Sequence, residues 1–268
     1  SVCHYAAWAA QRLGAPVEAM HVLGRREAPE KADLSGALRL GARTAILAEL
    51  AELDARRAKL ALARGHAILD DARAILEADG AGPVTVRLRR GDLLDAVVEA
   101  EPGLRAIVIG KRGEAADFAT GHLGSNLERV ARAATVAVLV ASREFRPITK
   151  VLVAWDASPS AEAALTRMAS SPVFAGLDVA LVHVGDRTEP MATKMEASAD
   201  RLRSAGLEVV TDFVAGEREV ALERRLVEGG FELLVMGAYG HGRLRRLIIG
   251  STTTARMRAC KSPVRLFR

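Results

Sequence analysis

Residues 231–252 read FELLVMGAYGHGRLRRLIIGST. Leu233 to Met236 is an apolar run of strand length, closed by Gly237 and Gly240 with two residues between them. Glycines so placed permit positive φ and let backbone amides approach a ligand closely. Gly250 and Ser251 then open a helical stretch, Thr252 to Cys260. The same order occurs earlier, with LRAIVIGKRG at Leu104 to Gly113, Gly124-Ser125, and helical residues Asn126 to Ala134. Two short strands ending in His-Val match as well, His21-Val22 within Pro16 to Leu23 and His183-Val184 within Leu177 to Gly185. The last strands, Val136 to Ala141 and Pro263 to Phe267, complete the series. Separations of 162, 127, 126 and about 126 residues, in one order, are hard to obtain by chance. The chain reads as two copies of one fold of about 120 to 145 residues.

In the second copy, strand-like runs at Lys150 to Trp155, Val179 to Val184, Glu208 to Val214, Leu233 to Met236 and Val264 to Phe267 alternate with amphipathic helices. Those helices are expected at Ala161 to Ser170, Glu189 to Ala205, Glu217 to Glu228 and Thr252 to Ala259. Short strands alternating with helices make parallel β-α-β units, with the sheet buried on both faces. The fold class is therefore α/β, two tandem doubly wound, Rossmann-like domains of five parallel strands each. Such sheets hold ligands beyond the carboxyl ends of their strands, where strand order reverses. The linker Arg143 to Thr149, REFRPIT, divides residues 1–146 from 147–268. So short a connection predicts a packed pseudo-dimer.

The first copy departs from the second in two ways. Its opening residues Ser1-Val2-Cys3 correspond to Ser160-Ala161-Glu162, already inside the first helix, so the opening strand and its acidic residue have no counterpart. A sheet lacking that central strand is not expected, and the sequence reads as missing its first ten to fifteen residues. The second departure is Leu34 to Ala78, nearly free of breakers and rich in Ala, Leu, Arg and Glu. Ile46, Leu50, Leu53 and Leu60 keep a three-four rhythm, which predicts one long helix, or two broken near Gly65. The helix either packs on its own sheet or forms a protruding arm or dimer contact.

With half its 268 residues hydrophobic and 26% charged, the chain has what a globular core requires, so a disordered or fibrous polymer is excluded. No apolar run approaches the roughly 18 to 20 residues that span a bilayer, so no membrane role is expected. No secretory pattern is visible at the start, and Cys3 and Cys260 make neither a disulfide framework nor a zinc site. A cytoplasmic location with reduced thiols is the expectation. Basic residues without interleaved aromatics, at 4% of the chain, argue against nucleic acid.

The chemistry is expected where Gly250, Ser251 and Thr252 open a helix. Free N–H groups and the helix dipole there favour a phosphate, and Ser251, Thr252 and Thr253 add hydroxyl donors. One dipole interaction contributes only ~0.3 to 1 kcal/mol at an exposed site. A micromolar nucleotide requires about 8 kcal/mol, so burial of a base and several amide bonds must act together.

These residues resemble the universal stress protein family in its tandem two-domain form. That family's nucleotide signature, G-x2-G-x9-G-[ST], is met at Gly237, Gly240, Gly250 and Ser251. Val151 to Ser158, VLVAWDAS, is similar to the family's first strand, which ends in an aspartate that holds ribose, here Asp156. Val184 after the second strand and Met236 before the first glycine match residues that meet adenine, and Ala154 joins the same set. The resemblance covers essentially the whole chain and implies ATP, or ADP or AMP, with or without Mg, held mainly by the second copy. It implies a regulatory binding module for stress adaptation, and a homodimer through domain surfaces. In the first copy Gly113 is followed by ten residues, not nine, before Gly124, and Glu114 and Asp117 stand where the second copy has Arg243, Arg245 and Arg246. Carboxylates there repel a triphosphate unless a metal intervenes.

Other readings stand beside these. The glycines could form only a tight turn, Asp156 could be a turn residue or helix cap, and the three arginines could be an exposed face. His21 and His183 read as core or pocket-edge histidines, and His4, His66 and His122 lack paired-ligand spacing. No general base is paired with a nucleophile, so efficient catalysis is not implied, and slow ATP hydrolysis is the most the family suggests. A structural protein acting through its dimer surfaces is the rival. An enzyme on the same fold would need a further substrate pocket. The net charge of +5 is uneven: from Leu233 onward there is no Asp or Glu, and eight basic residues, Arg265 among them, give +8. The positive charge is thus expected around the phosphate loop.

Overall fold

The computed structural model describes residues 1–24, 40–110, 125–237 and 263–267, the side chains of 40–45 and 125 excepted. The first copy supplies α1 (Val2–Leu13), β1 (Val17–Leu23), α2 (Leu40–Ala78), β2 (Val84–Arg90), α3 (Leu93–Ala100), β3 (Ala106–Gly110), α4 (Ser125–Ala133) and β4 (Ala137–Ala141). The second supplies β5 (Lys150–Ala154), α5 (Pro159–Ala169), β6 (Asp178–Val184), α6 (Glu189–Ser204), β7 (Glu208–Val214), α7 (Arg218–Glu228), β8 (Leu233–Gly237) and β9 (Val264–Phe267).

Local chemistry sets the boundaries. Ser158 caps α5 by accepting from the Ala161 amide at 3.2 Å, and Pro159 follows at the first helical position, where its missing N–H costs nothing. Asp92 caps α3 through the Leu94 amide at 2.8 Å. Gly14, at φ 56°, ends α1 in the left-handed conformation that a side chain resists.

The second copy is doubly wound as expected, with strand order β7-β6-β5-β8-β9 and every internal pairing parallel. The division of the sheets differs from two separate five-stranded ones. The described strands form a seven-stranded sheet, β3-β4-β9-β8-β5-β6-β7, and a separate two-stranded one, β1-β2. In the second copy β5 stands between β6 and β8; in the first, no described strand stands between their counterparts β1 and β3. The two copies join because β4 and β9 pair antiparallel, the single reversal in a parallel sheet.

That junction makes the pseudo-dimer one folded body. One face of the large sheet carries Leu139 and Ala141 of the first copy together with Val153, Leu165, Phe174 and Phe267 of the second. The other face joins Leu127, Val130 and Val138 to Leu152, Leu222, Leu234 and Leu266. Helix α1 adds a polar clasp: the buried Tyr5 hydroxyl meets Ser142 Oγ at 2.8 Å and donates to the Glu144 carbonyl at 2.9 Å. Arg12 reaches into the second copy and donates to the carbonyls of Val173 and Ala175 at 3.0 and 2.8 Å.

One alternative is decided here, in favour of one long helix, and one expectation changes. Helix α2 runs unbroken through Gly65, where a Cβ would lie 2.8 Å from Leu88 Cδ1 of β2 and 3.3 Å from His21 Cδ2 of β1. Gly65 is a close-approach point between helix and sheet, not a break. Arg265, counted above with the charge of the phosphate loop, is in the core: it is 3% exposed, with its guanidinium 5.1 Å from the rings of both Phe174 and Phe267. Alternation along β9 sends its side chain to the face opposite Leu266, where Phe174 and Phe267 enclose it.

Candidate functional site

Chain order reverses between β5 and β8: β6 and β7 extend the sheet on one side of β5, and the chain then crosses to place β8 on the other. A doubly wound sheet opens a crevice at such a point, beyond the strands' carboxyl ends. Asp156, two residues past β5, and Gly237, the last residue of β8, flank it.

The strand period of two decides which side chains share the crevice. Ala154, Val184 and Met236 all pack on the sheet face that carries Leu152, Val182 and Leu222. Ala154 and Val184 are half-buried and Met236 nearly buried, so the three present a partly open apolar surface at the carboxyl edge. The intervening Trp155 turns to the opposite face, 3% exposed, where its indole N–H donates to Glu162 Oε1 at 2.7 Å.

Asp156 is held by its own turn. Its Oδ1 accepts from the Ser158 amide at 3.2 Å, and Ala157 between them adopts φ 57°, unusual for a residue with a Cβ. The turn reading of Asp156 and the ligand reading are compatible, because the carboxylate keeps a second oxygen directed toward α7. There Oδ2 lies 3.7 Å from Arg218 Nη1, in an ion pair whose side chains are 39% and 23% exposed. Sequence reasoning passed over Arg218. The signal was a cation in the first turn of α7, where the helix dipole disfavours positive charge and a nearby carboxylate offsets it.

Gly237 has a different reason to be glycine from the one first expected. It lies in β8 without positive φ, and a Cβ there would meet the carbonyl carbon and oxygen of Ser160 at 2.7 Å. The amino end of α5 therefore packs directly on the strand end, and Ser160 Oγ sits 3.1 Å from Ser158 Oγ above it. Gly240, Gly250, Ser251, Thr252 and Thr253, with Arg243, Arg245, Arg246 and His241, lie outside the described residues.

His183, read as a core or pocket-edge histidine, is buried. Its Nδ1 is 3.2 Å from the Trp155 carbonyl, and its ring packs edge-on against Trp155 and Phe213. On the far side of α5, Glu162 collects Trp155, Ser198 and Arg201. Burial pushes its carboxyl upward, but these three donors outweigh burial and hold it below the usual carboxylate range. Glu162 is thus a structural anchor for the strand end that carries Asp156. Among the described residues, no group of three or more His, Cys, Asp or Glu side chains could hold a metal ion, and no helix is long and apolar enough to cross a membrane.

In the first copy, β1 ends in His21-Val22-Leu23 and β3 in Gly110 without a strand between them, so no described residue stands where Asp156 stands.

Comparison with known proteins agrees with this architecture. The universal stress protein family model matches twice, at residues 1–142 and 147–268. The chain is 37% identical over 268 residues to Universal stress protein Slr1230 of Synechocystis sp. (strain ATCC 27184 / PCC 6803 / Kazusa), covering 98% of this chain and 93% of that one. Among solved structures, a universal stress protein from Archaeoglobus fulgidus DSM 4304 superposes with a TM-score of 0.65 at 21% identity, covering all of this chain and 92% of that one. A universal stress protein solved in complex with cAMP aligns with 46% of this chain and 98% of its own, at 22% identity and a TM-score of 0.37. The chain belongs to the universal stress protein family, in tandem form with one family unit in each half.

Proposed function

We propose that the second half, residues 147–268, binds an adenine nucleotide, ATP or its hydrolysis products, and that the protein is a regulatory binding module. What supports this is the convergence at one crevice of a carboxylate, Asp156, with an apolar surface of Ala154, Val184 and Met236. The carboxylate accepts the ribose hydroxyls and the apolar surface takes the base. The phosphates then extend toward Gly237 and the segment carrying Gly240, Gly250, Ser251 and Thr252. Arg218, beside Asp156, is a second polar group within reach of the sugar. Among the described residues of the first half, residues 1–146, no such convergence is present.

Mass spectrometry of freshly purified, denatured protein should find co-purified ATP or ADP, and calorimetry should give a saturable isotherm with one site per chain. Asp156→Ala should weaken binding by about tenfold or more, the loss of one to two charge-assisted hydrogen bonds. Absence of any binding at millimolar nucleotide rejects the reading.

A second reading has its own observation. Ile46, Leu47, Leu50, Leu53 and Leu60, along the amino-terminal half of α2, are 36–70% exposed, whereas Leu69 and Leu76 further along are buried. That half of the helix is an arm with an apolar stripe, suited to pairing with a second chain. If Leu50→Asp with Leu53→Asp shifts a dimer to a monomer in sedimentation while nucleotide binding is absent throughout, the interaction reading replaces the first.

A further inference from the structure

The pairing of β4 with β9 has an internal symmetry. The repeat offset of 126 residues that relates Gly124-Ser125 to Gly250-Ser251 also relates Val138, Leu139 and Val140 to Val264, Arg265 and Leu266. In the antiparallel register Val138 faces Leu266, Leu139 faces Arg265 and Val140 faces Val264. Each residue thus faces the counterpart of its mirror position, and Leu139 faces its own counterpart. The pseudo-twofold axis relating the two copies passes between Leu139 and Arg265.

At such an axis, a contact between two identical strands sets one residue against itself. Directly opposed residues of an antiparallel pair share a face, with their Cβ atoms about 4.5–5.5 Å apart. Leu139 is 2% exposed and Arg265 3%, both on the face lined by Phe174 and Phe267. The Arg265 guanidinium lies near both phenyl rings, and its Nε has no hydrogen-bond partner among the described residues. Burial pulls its pKa down to about 10, so it still carries its proton at neutral pH.

Burial is the one influence on the Arg265 pKa among the described residues, so a second guanidinium in this space would find neither water nor a described carboxylate. We infer that Arg265 is the residue that assigns β9 to its partner strand: the axis accepts one arginine opposite an aliphatic side chain, so β9 pairs with β4 of the first copy and is barred from pairing with β9 of a second chain. The cationic charge costs stability in the native pairing and costs far more in the symmetric alternative, which is how specificity is obtained from an unfavourable group. The two halves are thereby made complementary at the point where identical copies would be interchangeable.

The arrangement can be recreated inside one full-length chain. Leu139→Arg sets arginine against arginine at the axis, as a β9–β9 contact would, and should lower the thermal midpoint by roughly 10 °C. Arg265→Leu should leave the midpoint unchanged or raise it by a few degrees. The swap, Leu139→Arg with Arg265→Leu, restores one arginine per axis and should return the midpoint to near that of the parent, well above the sum of the two single effects. If Leu139→Arg does not fold, a folded swap gives the same support. Leu139→Met, a control for shape, should stay within a few degrees of the parent. Additive single effects, or a swap no more stable than Leu139→Arg alone, would overturn the inference.

Discussion

Strands β6 and β1 derive from the same place in the repeat, yet five of the seven residues of β6 are buried while only Leu23 of the seven in β1 is. The difference lies in their neighbours. Strand β6 is flanked by β5 and β7, with helices on both faces; among the described residues β1 pairs with β2 alone and is covered by α2. A parallel strand draws its stability from burial on both faces more than from its own sequence, and that burial depends on a central partner.

Substitutions in these two strands should expose this asymmetry most strongly. Leu181→Ala in β6 deletes a side chain with 0% exposure and should cost about 2–5 kcal/mol, as buried leucines generally do. Met20→Ala, in the half-buried β1, should cost less than half as much. Denaturant midpoints measure both. Equal costs would mean that β1 is as fully enclosed in solution as β6.

The anchor of the first strand is the next point of contrast. Glu162 ties α5 to Trp155 just past β5, and its counterpart in the first copy is Cys3, whose thiol is pushed up by burial and which joins no such network among the described residues. Glu162→Ala should cost about 1–3 kcal/mol by leaving the Trp155 and Ser198 donors without an acceptor. Because the folded Glu162 carboxyl titrates below its unfolded value, its contribution is present at neutral pH and is lost as pH falls through the carboxylate range. Glu162→Gln should therefore flatten the acid limb of the stability profile, with the change confined to unfolding of the second copy's β5–α5 region in hydrogen exchange. An unchanged acid limb would place the acid sensitivity elsewhere.

What the sequence made legible follows from what is local. The repeat offset, the strand and helix alternation, and the apolar face of α2 depend on spacing alone, and each appears in the fold. The fused sheet was not legible, because the meeting of β4 and β9 depends on which edges remain free once each half has folded. For the candidate site, Asp156, Ala154, Val184 and Met236 came from the resemblance to the family's motifs, and the structure places them at one edge of the sheet. Arg218 was missed because its role depends on α7 lying over β5's exit, a contact 62 residues distant from Asp156 in sequence. Arg265 was misplaced for a related reason: composition counts a charge but does not say which face of a four-residue strand it occupies.

The two glycines at close approach separate the halves on the finest scale. A methyl group at Gly237 would collide at 2.7 Å with the backbone carbonyl of Ser160, which is fixed at the capped start of α5 and cannot turn aside. Gly237→Ala should cost about 1–3 kcal/mol through displaced backbone, and should weaken the proposed nucleotide binding with it, since the moved strand end borders Asp156. At Gly65 the nearest atom, Leu88 Cδ1 at 2.8 Å, is the tip of a side chain that can change rotamer. The substitution also replaces the poorer helix former by alanine in the middle of α2, a gain of about 1 kcal/mol. Gly65→Ala should therefore fall within about 1 kcal/mol of the parent, measured by denaturant unfolding. A large loss there would show that α2 is seated on β1 and β2 as rigidly as α5 is on β8, and that the first copy has no slack to spend.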